Sequence, residues 1–232
     1  MIAWIVCAAG AYLVGSIPFG VFIGRAKGVD IRREGSKNIG ASNVTRVLGK
    51  RLGMLCFALD VSKGALPVFA AGIFRGVINR TPQELSAPQM WLWLMVVFAA
   101  VLGHMCSPFL SFRGGKGVAT GFGAMLAMYP VLTIPALAAM VVWYATVRLS
   151  RYVSVASMLA ALSLPVWYLL LVIPSDAEAH ALGYTLEHIG RASPPLVVTS
   201  LLAGLVIYKH RGNLARLRRG EEPKIGDRSG TP

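Results

Sequence analysis

Long apolar runs separated by short basic ones set the pattern of this 232-residue chain. Met1 to Gly24 contains no charged residue. Neither do Val118 to Val147, Tyr152 to Ser175 and Ala192 to Tyr208, and Ala87 to Phe112 holds only His104 as a titratable base. A helix needs about 20 apolar residues to cross a ~30 Å hydrocarbon core. The pattern therefore predicts an all-α integral membrane protein of about seven transmembrane helices, over residues 2–24, 52–74, 87–111, 117–129, 130–148, 152–173 and 194–209. Pro18, within Gly15-Ser16-Ile17-Pro18-Phe19-Gly20, is expected to kink the first span near its cytoplasmic end. That span lacks a basic leader region and a small-residue cleavage site, so it reads as a retained span.

The stretch from Gly117 to Val147 is 31 residues long. That is too long for one crossing and too short for two at ~1.5 Å per residue. Arg113 and Lys116 precede it, and Arg148 and Arg151 follow it. Basic flanks stay in the cytoplasm, so the segment must enter and return, with Tyr129-Pro130 as the turn. Its first half is then a short helix that starts at a glycine-rich loop. This places the N-terminus outside and the C-terminus in the cytoplasm. Five full spans plus a re-entrant hairpin have the same sidedness.

Composition agrees with a membrane protein: 55% of residues are hydrophobic and 14% charged, with a net charge of +13. Nineteen of the twenty-three Lys and Arg lie in residues 25–51, 113–116, 148–151 and 209–232. These basic runs abut spans, which suits anionic lipid head groups and argues against a nucleic-acid partner. The loop 174–193 holds Asp176, Glu178 and Glu187 against Arg191 alone, which suits the outside. His180 and His188 in it are assigned no role. Cys7, Cys56 and Cys106 sit in apolar segments and read as packing residues, with neither a disulfide framework nor metal-ligand spacing. The chain reads as a single polytopic domain over 1–232. Residues 25–51 form a cytoplasmic substrate loop, 113–117 the glycine-rich loop, and 220–232 a disordered tail rich in Gly and Pro.

Four constellations hold candidate chemistry. Arg113-Gly114-Gly115-Lys116-Gly117 combines glycines, which let backbone approach a ligand closely, with a lysine at a helix start, where an anion is favoured. It is not a nucleotide P-loop, because Leu110 and Gly117 stand where that pattern needs Gly and Ser or Thr. Two readings remain open here: a phosphate cradle, or a Gly-rich turn whose lysine anchors the helix at the head groups. The run Gly35 to Arg46 gathers hydroxyls, carboxamides and bases, which suits a polyoxygenated anion; a solvated polar loop is the alternative. Asp60 and Lys63, three apart inside a span, share a helix face and are expected to pair. His210-Arg211-Gly212-Asn213-Leu214-Ala215-Arg216-Leu217, just past the last span, offers a base, donor or interfacial histidine with Asn213 near it on one helical face. Ser154 and Ser157 are weaker candidates. An intramembrane histidine such as His104 is more often a packing element than a catalyst.

In order along the chain, G-S-K-N-I-G-A-S-N-V-T-R, D-V-S-K-G-A-L-P-V, G-H-M-C-S-P-F-L-S-F-R-G-G-K-G-V-A-T and H-R-G-N-L-A-R-L resemble the acyl-phosphate-dependent glycerol-3-phosphate acyltransferases of bacterial membranes. The resemblance covers most of the chain. It implies a seven-helix enzyme of the bacterial cytoplasmic (inner) membrane. Such an enzyme transfers an acyl chain from acyl phosphate to sn-glycerol 3-phosphate, releasing phosphate and lysophosphatidic acid, the first acylation of phospholipid synthesis. Lys37 stands where the family usually has Gly, and Ser42 where it usually has Thr.

On this reading Lys116, His210 and Asn213 are expected to be catalytic. Substrate binding is expected of Ser36, Asn38, Asn43, Arg46, Lys63, His104, Arg113, Gly114, Gly115, Gly117, Thr120, Ser154 and Arg211. No metal and no cofactor is expected, and the protein is expected to act as a monomer. No Ser/His/Asp triad is visible, and the acids five residues after a histidine that mark soluble acyltransferases are absent, since Phe109 and Ala215 stand there. An acyl phosphate is already activated, so positioning both substrates in a cationic cradle can suffice. The resemblance further suggests that a substrate phosphate takes the hydroxyl proton. The competing class is a membrane carrier for phosphorylated solutes. A carrier is expected to show paired repeats and a midplane site. Here no repeat is visible and the polar motifs gather on one side.

Overall fold

The computed structural model describes residues 1–172 and 182–226, except for the side chains of 172 and 182–192. Ten α-helices account for most of the described chain: α1 Ile2–Gly15, α2 Phe19–Arg25, α3 Ala41–Leu48, α4 Lys50–Phe74, α5 Ala87–Met105, α6 Val118–Leu126, α7 Thr133–Ser150, α8 Val153–Val172, α9 Leu182–Lys209 and α10 Arg211–Arg218. Five stretches are long and apolar enough to cross a membrane: Ile2–Arg25, Lys50–Phe74, Ala87–Leu110, Thr133–Ser150 and Val153–Leu171. Ser193–Lys209 is a shorter apolar helix, and α6 has only nine residues.

The first span does break where Pro18 predicts. Pro18 cannot donate a backbone hydrogen bond, so the helix stops at Gly15 and restarts at Phe19. The carbonyls freed at the break still need donors inside the membrane. Ser107 Oγ donates to Ser16 O at 2.7 Å, and Lys63 Nζ donates to Ile17 O at 2.7 Å. α5 starts on a capping box, in which Ser86 and Gln89 satisfy each other's backbone amides.

α5 is the most buried of the long spans and forms the centre of the core. Trp93, Leu94, Val96, Val97 and Ala100 are fully enclosed, and Trp93 Nε1 donates to Val68 O of α4 at 3.2 Å. Around it pack α1, α4, α6 and α9, with α7 against α8 and α8 against α9. α4 and α6 cross at backbone contact. A Cβ at Gly64 would strike Thr120 O, and one at Gly123 would strike Val61 O. Small residues are what permit such crossings, since lipid tails offer no hydrophobic drive for helix association. Phe22, Leu66, Phe74, Val141, Leu149 and Leu170 lie exposed on the outside of the bundle, as a lipid-facing surface requires.

Several boundaries differ from the sequence expectation. The loop 25–51 is not all loop. It contains α3, whose Val44 is fully buried, and α4 begins inside it at Lys50. The hairpin after the glycine-rich loop is α6 and α7, and α7 starts at Thr133 rather than residue 130. α9 begins at Leu182, so the expected outside loop 174–193 is helical in its second part. Residues 173–181, with Asp176, Glu178 and His180, lie outside the described residues, as do the side chains of Glu187 and His188. The tail is not free from residue 220 onward. Residues 221–226 turn back onto the bundle, with Ile225 N donating to Arg151 O at 2.8 Å and Glu222 buried. Residues 227–232 lie outside the described residues.

Candidate active site

The substrate-loop motif folds around one side chain. Asn43, 1% exposed, accepts from the amide of Ser36 at 2.7 Å and donates to the carbonyls of Ile31, Glu34 and Asn38. All its polar atoms serve the loop's own backbone, so it builds the loop. Asn38 Oδ1 likewise accepts from Gly40 N at 2.9 Å, just before α3. Arg46, on the next turn of α3, is half-buried, and its charge reaches Lys116. Lys37 is exposed, with a backbone φ of 59°.

The glycine-rich loop is pinned to the end of α5. Gly114 N donates to Met105 O at 3.2 Å and Gly115 N to His104 O at 3.0 Å. Those two amides are therefore not free to cradle an anion. Gly115 lies flat against the His104 ring, where any Cβ would collide with Nε2. Gly117 takes φ 77°, the left-handed region that glycine tolerates, and starts α6. No side chain caps α6, so its first-turn amides stay open beside Lys116.

Lys116 Nζ donates to Asn213 Oδ1 at 2.6 Å across 97 residues of sequence. Asn213 Nδ2 donates in turn to Glu222 Oε1 at 2.6 Å, which also accepts from Ser154 Oγ at 2.7 Å. Arg216 Nε holds the other Glu222 oxygen at 2.8 Å. The glycine-rich loop, α8, α10 and the tail thus converge on one carboxylate. Burial pushes the Lys116 ammonium down to about 8, with the charges of Arg216 and Arg46 lowering it and that of Glu222 raising it. For Glu222, burial favours the neutral acid. The bonds from Asn213 and Ser154 and the charge of Arg216 outweigh this and hold its carboxyl below the usual value.

His210, 2% exposed, caps α10 next to this group. Its Nδ1 lies 2.7 Å from Val206 O. A carbonyl only accepts, so Nδ1 carries the hydrogen and the neutral ring keeps Nε2 as an acceptor. Burial, then the Lys116 charge, push its pKa down to about 4, so the ring is neutral near pH 7. Lys209 Nζ ties the end of α9 to Met105 O at 2.8 Å. Inside the bundle, Asp60 and Lys63 form the expected pair at 2.8 Å, 3% and 2% exposed in their side chains. His104 Nδ1 sits 3.8 Å from the same Asp60 oxygen.

The structure brings together Lys116, Asn213 and Ser154, with His210 and Arg46 beside them. Arg113 is exposed. Arg211 turns outward and stacks over the Tyr208 ring, 4.5 Å from its centroid. Thr120 is fully buried at the α4 crossing, and its hydroxyl has no hydrogen-bond partner. Glu222 and Lys209 are polar residues around the site that sequence reasoning missed, and Arg216 stood in the motif past the last span with no role assigned to it.

A profile of the glycerol-3-phosphate acyltransferase family matches residues 5–220. The glycerol-3-phosphate acyltransferase of Synechococcus elongatus is 40% identical over 223 residues, covering 95% of this chain and 94% of the relative. That of Aquifex aeolicus is 39% identical over 215 residues, covering 93% and 95%. Two crystal structures of PlsY (YgiH), an integral membrane glycerol 3-phosphate acyltransferase, share the fold at 36% identity. The glycerol 3-phosphate form has a TM-score of 0.77 and covers 96% of each chain. The lysophosphatidic acid form has a TM-score of 0.73 and covers 96% and 95%. With residues 5–220 of the 232 matched by the family profile and relatives at this identity, the chain belongs to the glycerol-3-phosphate acyltransferase family.

Proposed function

We propose that this chain transfers a fatty acyl group from acyl phosphate to glycerol 3-phosphate, giving lysophosphatidic acid and phosphate. The observation that supports it best is the Lys116–Asn213 hydrogen bond, which joins the glycine-rich loop to the motif past α9 in one cationic, partly buried site. Lys116 and Arg46 neutralise phosphate oxygens, and the open amides at the start of α6 add to this. His210 Nε2 accepts from the glycerol hydroxyl and orients its oxygen toward the acyl carbonyl. Attack forms the new ester C–O bond, the acyl–phosphate C–O bond breaks, and the hydroxyl proton passes by way of His210 Nε2 to the departing phosphate. The test uses purified protein in detergent micelles, supplied with palmitoyl phosphate and glycerol 3-phosphate. Phosphate release that depends on glycerol 3-phosphate supports the reading. Lysophosphatidic acid formed only from another acyl donor overturns the choice of acyl phosphate.

A pH dependence follows from Lys116. The ammonium is the form that binds phosphate, and its value of about 8 means that it is charged below that pH and neutral above it. kcat/KM is expected to fall about tenfold per pH unit above ~8. On the acid side it falls near ~6, where a substrate phosphate takes up its second proton. Lys116→Arg, whose group stays charged throughout, is expected to keep whatever activity it has up to pH 9.

The same reading sets the protein in a bacterial inner membrane as a monomer. With α6 and α7 entering and returning as one hairpin, the N-terminus lies outside and the loop 25–51, the glycine-rich loop and α10 lie in the cytoplasm. The basic flanks of these segments support that sidedness. Lys37→Cys, Arg113→Cys and Arg219→Cys, each in a background lacking Cys7, Cys56 and Cys106, are expected to resist an impermeant maleimide in intact cells and to label once cells are opened. Labelling of position 219 in intact cells would put α10 on the wrong side for a shared site.

A further inference from the structure

We infer that Asp60, Lys63 and His104 are positioning residues that set the backbone of Gly114–Gly115 and so aim Lys116 at Asn213. The inference rests on the reading of Lys116 as the phosphate-holding group. Lys63 is buried, and its ammonium is committed to Asp60 Oδ1 at 2.8 Å and Ile17 O at 2.7 Å. It therefore serves the break between α1 and α2 and is not exposed to take a substrate. Asp60, 2% exposed, faces His104 Nδ1 at 3.8 Å. The opposite edge of the same ring, at Nε2, is the surface on which Gly115 lies. The backbone of that histidine holds the loop as well, through Gly115 N to His104 O at 3.0 Å. The kinked first span, the ion pair, the imidazole and the residue before Lys116 are thus successive neighbours, although His104 Nδ1 makes no hydrogen bond and meets Asp60 only through the charge 3.8 Å away.

Two further observations favour positioning over plain packing. A buried ion pair in a membrane span is costly, and an apolar pair of similar volume would fill the same space while leaving the Ile17 carbonyl without its donor. Besides, the three atoms nearest to a Cβ built at Gly115 all belong to the His104 ring. The ring, rather than the loop's own geometry, is what excludes a side chain at position 115. The spacing from Gly115 to Lys116 is one residue, so a shift of the loop away from the ring displaces the ammonium from a bond now only 2.6 Å long.

The test is a double-mutant cycle at the ring and the loop, which isolates their coupling. Wild-type phosphate release is measured first, so that failure of the enzymatic reading is distinguished from failure of this one. Turnover is then scored per folded molecule, with thermal unfolding in micelles as the measure of folding. Gly115→Ala is expected to lower kcat/KM at least tenfold while unfolding at about the wild-type temperature. His104→Ala added to it is expected to recover at least threefold, because the atoms that clash are gone. A double variant no better than the product of the two singles overturns the inference. Asp60→Leu with Lys63→Met removes both charges together and is expected to fold yet lose at least tenfold in turnover. Wild-type turnover in that variant reduces the pair to packing and also overturns the inference. Should it not fold, the His104–Gly115 cycle decides alone.

Discussion

Lys116→Ala is expected to lower kcat/KM by about 10²–10³ and to leave the bundle folded. Removing one preorganised donor from a site where charge is redistributed typically costs that much. Lys116 is such a donor: its Nζ is held at 2.6 Å by Asn213 before any substrate arrives, so no reorganisation is needed when phosphate binds. The fold should survive because the side chain stabilises little. Its pKa of about 8 records that burial disfavours the ammonium more than Glu222 favours it, so deleting the charge relieves a desolvation cost. Phosphate release and thermal unfolding, measured on the same micellar preparation, check both halves. Near-normal turnover by a folded Lys116→Ala protein would remove the lysine from the chemistry.

Which parts were legible follows from what kind of contact makes each. The apolar runs dictate helices because the bilayer leaves backbone no other partner, and Pro18 marks its own break. The Asp60–Lys63 pair is a three-residue spacing on one helix, so it reads directly from the chain. The Lys116–Asn213 contact is nonlocal. Sequence could name its members only because each sits in a distinctive motif, and it had no means of measuring their approach. Glu222 had no such signal. It stands in a polar, Gly- and Pro-containing segment of the kind that reads as disordered, and its order comes from three donors on α8 and α10. Asn43 carries a structural part that the sequence did not show. A carboxamide in a polar loop looks like a ligand group, yet here the backbone carbonyls of the loop claim it. Arg211 follows His210 immediately, and adjacent helical positions point about 100° apart, so a buried His210 turns Arg211 outward.

Glu222→Ala is expected to cost about 10² in kcat/KM, to destabilise the protein by about 2–3 kcal/mol, and to move the alkaline limb of the pH profile below its wild-type position. Three groups lose their acceptor at once: Ser154 Oγ, Asn213 Nδ2 and the Arg216 guanidinium. Hydrogen bonds to a charged group are worth about 1.5–3 kcal/mol, and buried donors left without a partner add to the loss. Without its hold on Nδ2, Asn213 is free to rotate, and the oxygen that fixes Lys116 moves with it. The electrostatic consequence has a definite sign. Glu222 is the neighbour whose charge raises the Lys116 pKa, whereas burial, Arg216 and Arg46 lower it. Removing the carboxylate therefore leaves Lys116 further below 8, so the protein loses its phosphate-binding ammonium at a lower pH than the wild type. Glu222→Gln separates the two effects. It retains an oxygen for Ser154 and Asn213 and loses the charge, so it should shift the limb by about as much as alanine while keeping more of the stability. Thermal unfolding together with kcat/KM between pH 5 and pH 9 measures all three quantities. A Glu222→Ala protein with an unmoved limb and wild-type turnover would make the tail a bystander to the site.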